Sequence, residues 1–168
     1  MIEPELLLHQ RIQTPVGYVL ISGTARAVNH VTFEGSARPP PLASEGGRGP
    51  VADAARQTEE YFSRSRKSFD VPVAPIGTAF QLRVWNELKR VPYGTTVSYG
   101  DIARRIGQPS ASRAVGAANG ANPIPIIIPC HRAIGADGSL TGFGGGLAAK
   151  RTMLQLESSQ RPLEATQR

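Results

Sequence analysis

The chain has 168 residues with one Cys, three His, and 19 Lys and Arg against 13 Asp and Glu, a net charge of +6. That length can bury a real core, roughly 70% of the unfolded chain's surface, in one domain or two small ones. A single Cys excludes an internal disulfide. There is no apolar run of about 18 residues to span a membrane, and no His and Cys spacing for a structural zinc.

The first third reads as strands. Leu6 to Ile12, Tyr18 to Ser22 and Val28 to Phe33 are short β-rich runs, and Thr14, Pro15, Val16 and Gly17 mark a turn between the first two. Residues 35–50 are a Pro/Gly loop expected to be mobile. Val51 to Arg64 carries Ala55, Thr58, Tyr61 and Phe62 at helical spacing, and Phe69 to Val73 reads as one more strand. Pro72, Pro75 and Gly77 mark a boundary, so residues 1–75 are expected as an αβ unit.

The second half changes character. Thr78 is placed to cap a helix running to about Val91, with Phe80, Val84, Trp85 and Leu88 on one face. Ser98 caps a short helix from Tyr99 to Ile106, with Asp101 in its first turn, where negative charge is favoured. Ser110 opens another, from Ala111 to about Ala118. Two helices joined by a short Gly-containing turn form a helix-turn-helix pattern. Asp137 and Gly138, between Ala133-Ile134 and Leu140, read as a hairpin turn. Leu147 to Glu157 is a last amphipathic helix. Residues 76–158 are thus a helical unit, and the polar tail, residues 159–168, is expected to be disordered.

Charge divides with this organisation. Residues 1–75 hold eight basic and eight acidic side chains, whereas residues 76–168 hold eleven and five. The basic half therefore suggests either a polyanion partner, nucleic acid first, or simply a basic solvated surface. The lone Cys130 lies in that half, within Pro129, Cys130, His131 and Arg132. A lone Cys in an apolar setting is commonly a small buried hydrophobe. The adjacent base and positive charge argue instead for a thiolate nucleophile. The start, Met1 to Glu5, has no basic region followed by an apolar one, so a cytoplasmic protein is expected.

The stretch Ile126-Ile-Ile-Pro-Cys-His-Arg132 closely resembles the active-site signature of the O6-alkylguanine-DNA alkyltransferases, the methylated-DNA–protein-cysteine methyltransferase family. The resemblance extends through Val91-Pro-Tyr-Gly94, Ser98-Tyr-Gly-Asp-Ile-Ala103, Ser112 to Asn119, Asn122-Pro123 and Gly142 to Leu147, and covers about 80 residues from Phe80 to Glu157. It implies an α/β (α+β) fold, with an RNase H-like N-terminal domain (1–75) followed by a DNA-binding and alkyl-acceptor domain with the helix-turn-helix (76–158). It also implies repair by direct reversal. Cys130 attacks the alkyl carbon on O6 of guanine or O4 of thymine in duplex DNA and keeps it as a thioether. A thioether does not hydrolyse readily, and there is no second Cys, so each molecule acts once.

Further roles are implied residue by residue. His131 takes the Cys130 proton through a water, Glu157 orients His131, and Asn122 braces the turn. Tyr99 meets the base at N3, and Arg113 fills the hole left when the nucleotide is rotated out of the stack, a step the buried lesion requires. Ala133, Phe143 and Gly144 line the base pocket. Where some relatives have Tyr-Ser, this chain has Phe143-Gly144. Adjacent side chains in an extended segment diverge, which argues for the water between Cys130 and His131. Lys150 and Arg151 read as general phosphate contacts or surface charges, and His9 and His30 as structural residues. No cofactor or metal is implied, and the protein is expected to be a monomer that can act cooperatively on DNA. Three other readings stand beside repair. They are a lesion binder that flags damage without reacting, a Cys-His hydrolase, and an alkylation-sensing transcription factor.

Overall fold

A computed structural model of the chain describes residues 6–36 and 43–158. The turn after the first strand forms as its residues dictate. Thr14 Oγ1 donates to the Gly17 carbonyl at 2.7 Å and accepts from the Val16 N–H at 3.1 Å, while Gly17 adopts a φ of 100°. That conformation is open to Gly because it lacks a Cβ. The turn joins β1 (Leu8–Thr14) to β2 (Gly17–Gly23), which pairs in turn with β3 (Val28–Phe33), all antiparallel. A two-residue strand, β4 (Ser44–Glu45), adds parallel to β1 and gives the order β3-β2-β1-β4. Helix α1 (Gly49–Phe62) packs on the sheet and buries Val51, Ala54, Ala55, Tyr61 and Phe62 in the same core as Ile12, Val19, Ile21, Val31 and Phe33. The 35–50 loop is therefore partly structured, holding β4 and the start of α1. Residues 37–42 within it lie outside the described residues.

Phe69 to Val73 does not form a strand. Pro72 has no N–H to give, and contact with β3 shrinks to one parallel bridge between Val28 and Val73. Its hydrogen bonds run from Val28 N–H to the Pro72 carbonyl and from Ala74 N–H to the Val28 carbonyl, both 2.9 Å.

The remaining elements are mostly helical. Helix α2 (Ala79–Leu88) and helix α3 (Tyr99–Arg105) each begin with a capping box, Thr78 with Gln81 and Ser98 with Asp101. Helix α4 spans Ser112–Gly120. Its cap position is Ala111, not Ser110, because Gln108 to Ala111 closes as a turn. Helices α3 and α4 pack together, and α2 packs on both. The Trp85 indole N–H on α2 donates to the Ala118 carbonyl in the last turn of α4 at 2.8 Å. Helix α5 (Leu147–Ser158) closes the described chain; the tail from residue 159 lies outside it.

The expected hairpin at Asp137 is a turn without a ladder. Gly135 N–H donates to the Ser139 carbonyl at 2.8 Å, but Leu140 joins no strand. Ala133–Ile134 (β6) instead pairs in parallel with Val97–Ser98 (β5), which ties the stretch after Cys130 to the start of α3. Buried side chains from the sheet, α1 to α5 and the run before Cys130 form one contiguous core. No helix among the described residues is long and apolar enough to cross a membrane.

Candidate active site around Cys130

Two prolines keep the apolar run before Cys130 from joining a ladder. Ile124 to Ile128 folds back on itself, with the Ile128 N–H donating to the Ile124 carbonyl at 2.9 Å. Asn122 clamps both ends of this loop. Its Nδ2 donates to the Ile128 carbonyl at 2.9 Å, and its Oδ1 accepts the Ile124 N–H at 3.0 Å. At the tip, Ile126 is buried with a φ of 74°, a left-handed conformation rare for a β-branched residue. Such a conformation costs of order 1–3 kcal/mol and persists only where the surroundings impose it. Here the imposing groups are the Asn122 amide and the packing of Ile124 and Ile128.

The loop delivers Cys130 into a single 3-10 turn, Cys130–Arg132, rather than an extended segment. The separation of Cys130 from His131 is thus set by that turn and not by the alternation of a strand. Cys130 is 3% exposed and lines a cavity of about 330 Å³. Val31 to Phe33 of β3, Asn122, Pro125 and Gly144 line the same cavity. Phe143 seats its ring edge-on to Phe33, with centroids 5.3 Å apart, and near His131 at 6.5 Å.

Behind the thiol sits a buried polar cluster. His131 Nε2 donates to Glu157 Oε1 at 2.8 Å. That bond makes Nδ1 the ring's acceptor, and Nδ1 is buried with no hydrogen-bond partner among the described residues. Burial lowers the imidazole's proton affinity below its ordinary value, Arg132 and Lys150 push the same way, and Glu157 opposes them. His131 is therefore a neutral base at rest. Glu157 is 1% exposed. Burial opposes its ionisation, but the hydrogen bonds from His131 and Arg132 and the charge of Arg132 prevail and hold its carboxyl down at about 2. Since His131 is neutral, Arg132 is the lasting counter-charge. Its Nη2 and Nε reach Oε1 at 2.9 and 3.2 Å, its Nε reaches Oε2 at 3.1 Å, and its Nη1 donates to the Val91 carbonyl at 2.8 Å. The Gly94 N–H lies 3.4 Å from Oε2, and the Tyr61 hydroxyl on α1 donates to Oε1 at 2.9 Å.

The structure revises two sequence expectations about charge. Arg132 was expected to serve the thiol and instead holds Glu157. Lys150 was expected as a phosphate contact or a surface charge and is fully buried, its Nζ donating to the Ala133 carbonyl at 2.6 Å and the Thr141 carbonyl at 2.9 Å. Burial lowers its proton affinity, and a charged Cys130 raises it, so the ammonium stands where it can favour a thiolate. Neither role carries a local sequence signal, and nor does that of Tyr61.

Tyr99 opens α3 with its hydroxyl 3.1 Å from both the carbonyl and the Oγ1 of Thr141, so it shares an acceptor with Lys150. Arg113 lies in the first turn of α4 with its side chain exposed. Of the expected site residues, Cys130, Asn122 and Gly144 line the cavity, Phe143 packs near His131, His131 bonds Glu157, Ala133 binds Lys150 through its carbonyl, and Tyr99 and Arg113 stand on the helix pair α3 and α4. Among the described residues no group of three His, Cys, Asp or Glu side chains is placed to hold a metal ion.

Residues 79–159 match the family model of the 6-O-methylguanine DNA methyltransferase DNA binding domain. The methylated-DNA–protein-cysteine methyltransferase of Methanosarcina acetivorans is 47% identical, over 88% of this chain and 96% of its own length. That of Mycobacterium tuberculosis is 44% identical, over 95% and 98%. The crystal structure of the M. tuberculosis O6-methylguanine methyltransferase superposes with a TM-score of 0.87 at 41% identity, covering 96% of this chain and 98% of that one. The structure of the M. tuberculosis protein in complex with DNA gives 0.85 at 42% identity, over 95% and 98%.

Proposed function

Because the chain belongs to the methylated-DNA–protein-cysteine methyltransferase family, we propose that Cys130 is the alkyl acceptor and that His131 and Glu157 activate it. The activity is direct repair of O6-methylguanine in DNA. The observation that carries the residue assignment is the arrangement behind the lone thiol. A cavity-lining Cys130 is followed by a buried, neutral His131 whose Nε2–H is committed to Glu157 and whose Nδ1 lone pair is left to accept.

A free thiol near pKa 8.5 is only a few per cent thiolate at neutral pH. His131 Nδ1 takes the Cys130 proton through a water, and Glu157 stabilises the imidazolium that forms, in the logic of nucleophile, base and carboxylate. The thiolate then displaces at the alkyl carbon. The Sγ–C bond forms, the C–O6 bond breaks with its electron pair staying on the guanine, and the proton held by His131 balances the charge of the released base. Lys150 favours the thiolate from the Ala133 side. The thioether does not revert, so one chain removes one alkyl group.

Access requires the nucleotide to leave the stack. Tyr99 meets the base at N3, and Arg113 occupies the gap in the duplex. Carbonyls of Cys130 and Ala133 and the Gly144 N–H read the flipped base. The partner is duplex DNA carrying O6-alkylguanine or O4-alkylthymine, held by residues 76–158 with α4 in the minor groove. Readout there is tolerant of sequence, as repair demands.

Intact-protein mass spectrometry after mixing with excess duplex carrying one O6-methylguanine tests this. One methyl adduct on Cys130, stopping at one per chain, is the expected result. Binding with no mass increase points to a lesion binder and overturns it.

A further inference from the structure

We propose that Tyr61 is a positioning residue for the relay, its hydroxyl reaching from α1 to share the Glu157 carboxylate with His131 and so setting how strongly that carboxylate holds the imidazole. The inference deepens the relay reading above and rests on it.

Packing alone does not call for a hydroxyl at this position. The Tyr61 ring is fully buried among Phe62, Phe69 and Tyr93, with centroids 5.0, 5.8 and 6.2 Å away, and a phenylalanine would fill the same space. A buried phenol needs an acceptor. This one finds Glu157 Oε1 at 2.9 Å, 96 residues along the chain. The donor is unambiguous. Burial and the neighbouring carboxylate raise the phenol's affinity for its proton, while the Glu157 carboxyl is held at about 2.

Oε1 thus receives three donors, His131 at 2.8 Å, Tyr61 at 2.9 Å and the Arg132 guanidinium. They compete for the same lone-pair density. Oε2 takes Arg132 and the Gly94 N–H. Removing the Tyr61 hydroxyl leaves the carboxylate less stabilised and drives its remaining charge onto the imidazole. The other groups facing this pair are Arg132 and Lys150, which oppose a proton on His131, together with Cys130 and the Tyr93 ring. None of them is changed by Tyr61→Phe.

The test uses the full chain as wild type, Tyr61→Phe and Phe62→Leu, and follows the His131 ring signals by NMR against pH. With three His in the chain, His9 and His30 on the sheet serve as internal references. A hydrogen bond to a charged group is among the stronger ones a protein makes, so even a fraction of it passed to His131 is measurable. The His131 midpoint is expected to rise by about half a pH unit or more in Tyr61→Phe, and the acid limb of the methyl-transfer rate to move the same way. Phe62→Leu, which loosens the same helix without touching the carboxylate, is expected to leave the midpoint in place. Coincident midpoints for wild type and Tyr61→Phe overturn the proposal, as does an equal shift in Phe62→Leu. A shift confined to Tyr61→Phe in a protein whose Cys130 never gains a methyl group upholds the positioning role and overturns the alkyl-acceptor reading instead.

Discussion

Glu157→Gln keeps the shape of the side chain and removes its charge, leaving Arg132 buried without its counter-ion. The cost follows from the wild-type carboxyl, held at about 2 against an ordinary 4.5. A displacement of that size corresponds to roughly 3 kcal/mol of folding stability. A second route gives a similar figure, because removing one partner of a buried ion pair costs about 3–5 kcal/mol. The sign follows from the direction of the displacement. A carboxyl more acidic in the folded state stabilises fully above about 4.5 and loses that contribution as pH falls toward about 2. Thermal melts should therefore separate wild type from variant by about 6–12 °C at pH 7, and the gap should close through that acid window. Glu34→Gln is the control. Glu34 pairs with Arg11 at 2.8 Å, but both side chains are about half exposed, and such pairs contribute about 1 kcal/mol or less. A Glu157→Gln gap below 1 kcal/mol at pH 7, or one that stays constant down to pH 2.5, refutes the claim that the Arg132–Glu157 pair is a stabilising buried one.

Asn122→Ala should cost about 1–3 kcal/mol, because it orphans the buried Ile124 N–H, whereas the Ile128 carbonyl keeps the Cys130 N–H at 2.7 Å. Urea unfolding checks the cost, and single-turnover methyl transfer should slow as the loop loses its clamp. Arg113→Ala should slow repair of duplex DNA far more than attack on a free alkylated base; equal slowing of the two substrates refutes the gap-filling role.

What the sequence revealed and what it hid divide along the range of the interactions. Helices α2 and α3 were legible because Thr78, and Ser98 with Asp101, carry their start signals locally. The turn at Gly17 was legible for the same reason. The strands β4 and β5 were hidden, and Ala133-Ile134 was read as a hairpin arm instead of pairing with β5, because each is two residues long and exists only through a distant partner. Phe69 to Val73 has strand composition, but Pro72 leaves it one bridge. At the site, the family resemblance led to Cys130, His131, Asn122 and Glu157, which the fold does bring together. The partners of Glu157 were not visible. Arg132 lies next to His131 in sequence, yet its guanidinium turns to Glu157 on α5, and Tyr61 arrives from α1. Lys150 looked like one more helix cation, and only its burial against the Ala133 and Thr141 carbonyls sets it apart.

The joint between α2 and α4 comes with its own reporter. Trp85 is the only tryptophan in the chain, and its indole N–H ends on the Ala118 carbonyl of α4. Its fluorescence is therefore a single-site signal, free of background from other indoles. If DNA binding shifts α4, the emission wavelength of this one ring will change in step. Stopped-flow mixing with unlabelled duplex would then time docking against the transfer of the methyl group, with no dye attached to either partner.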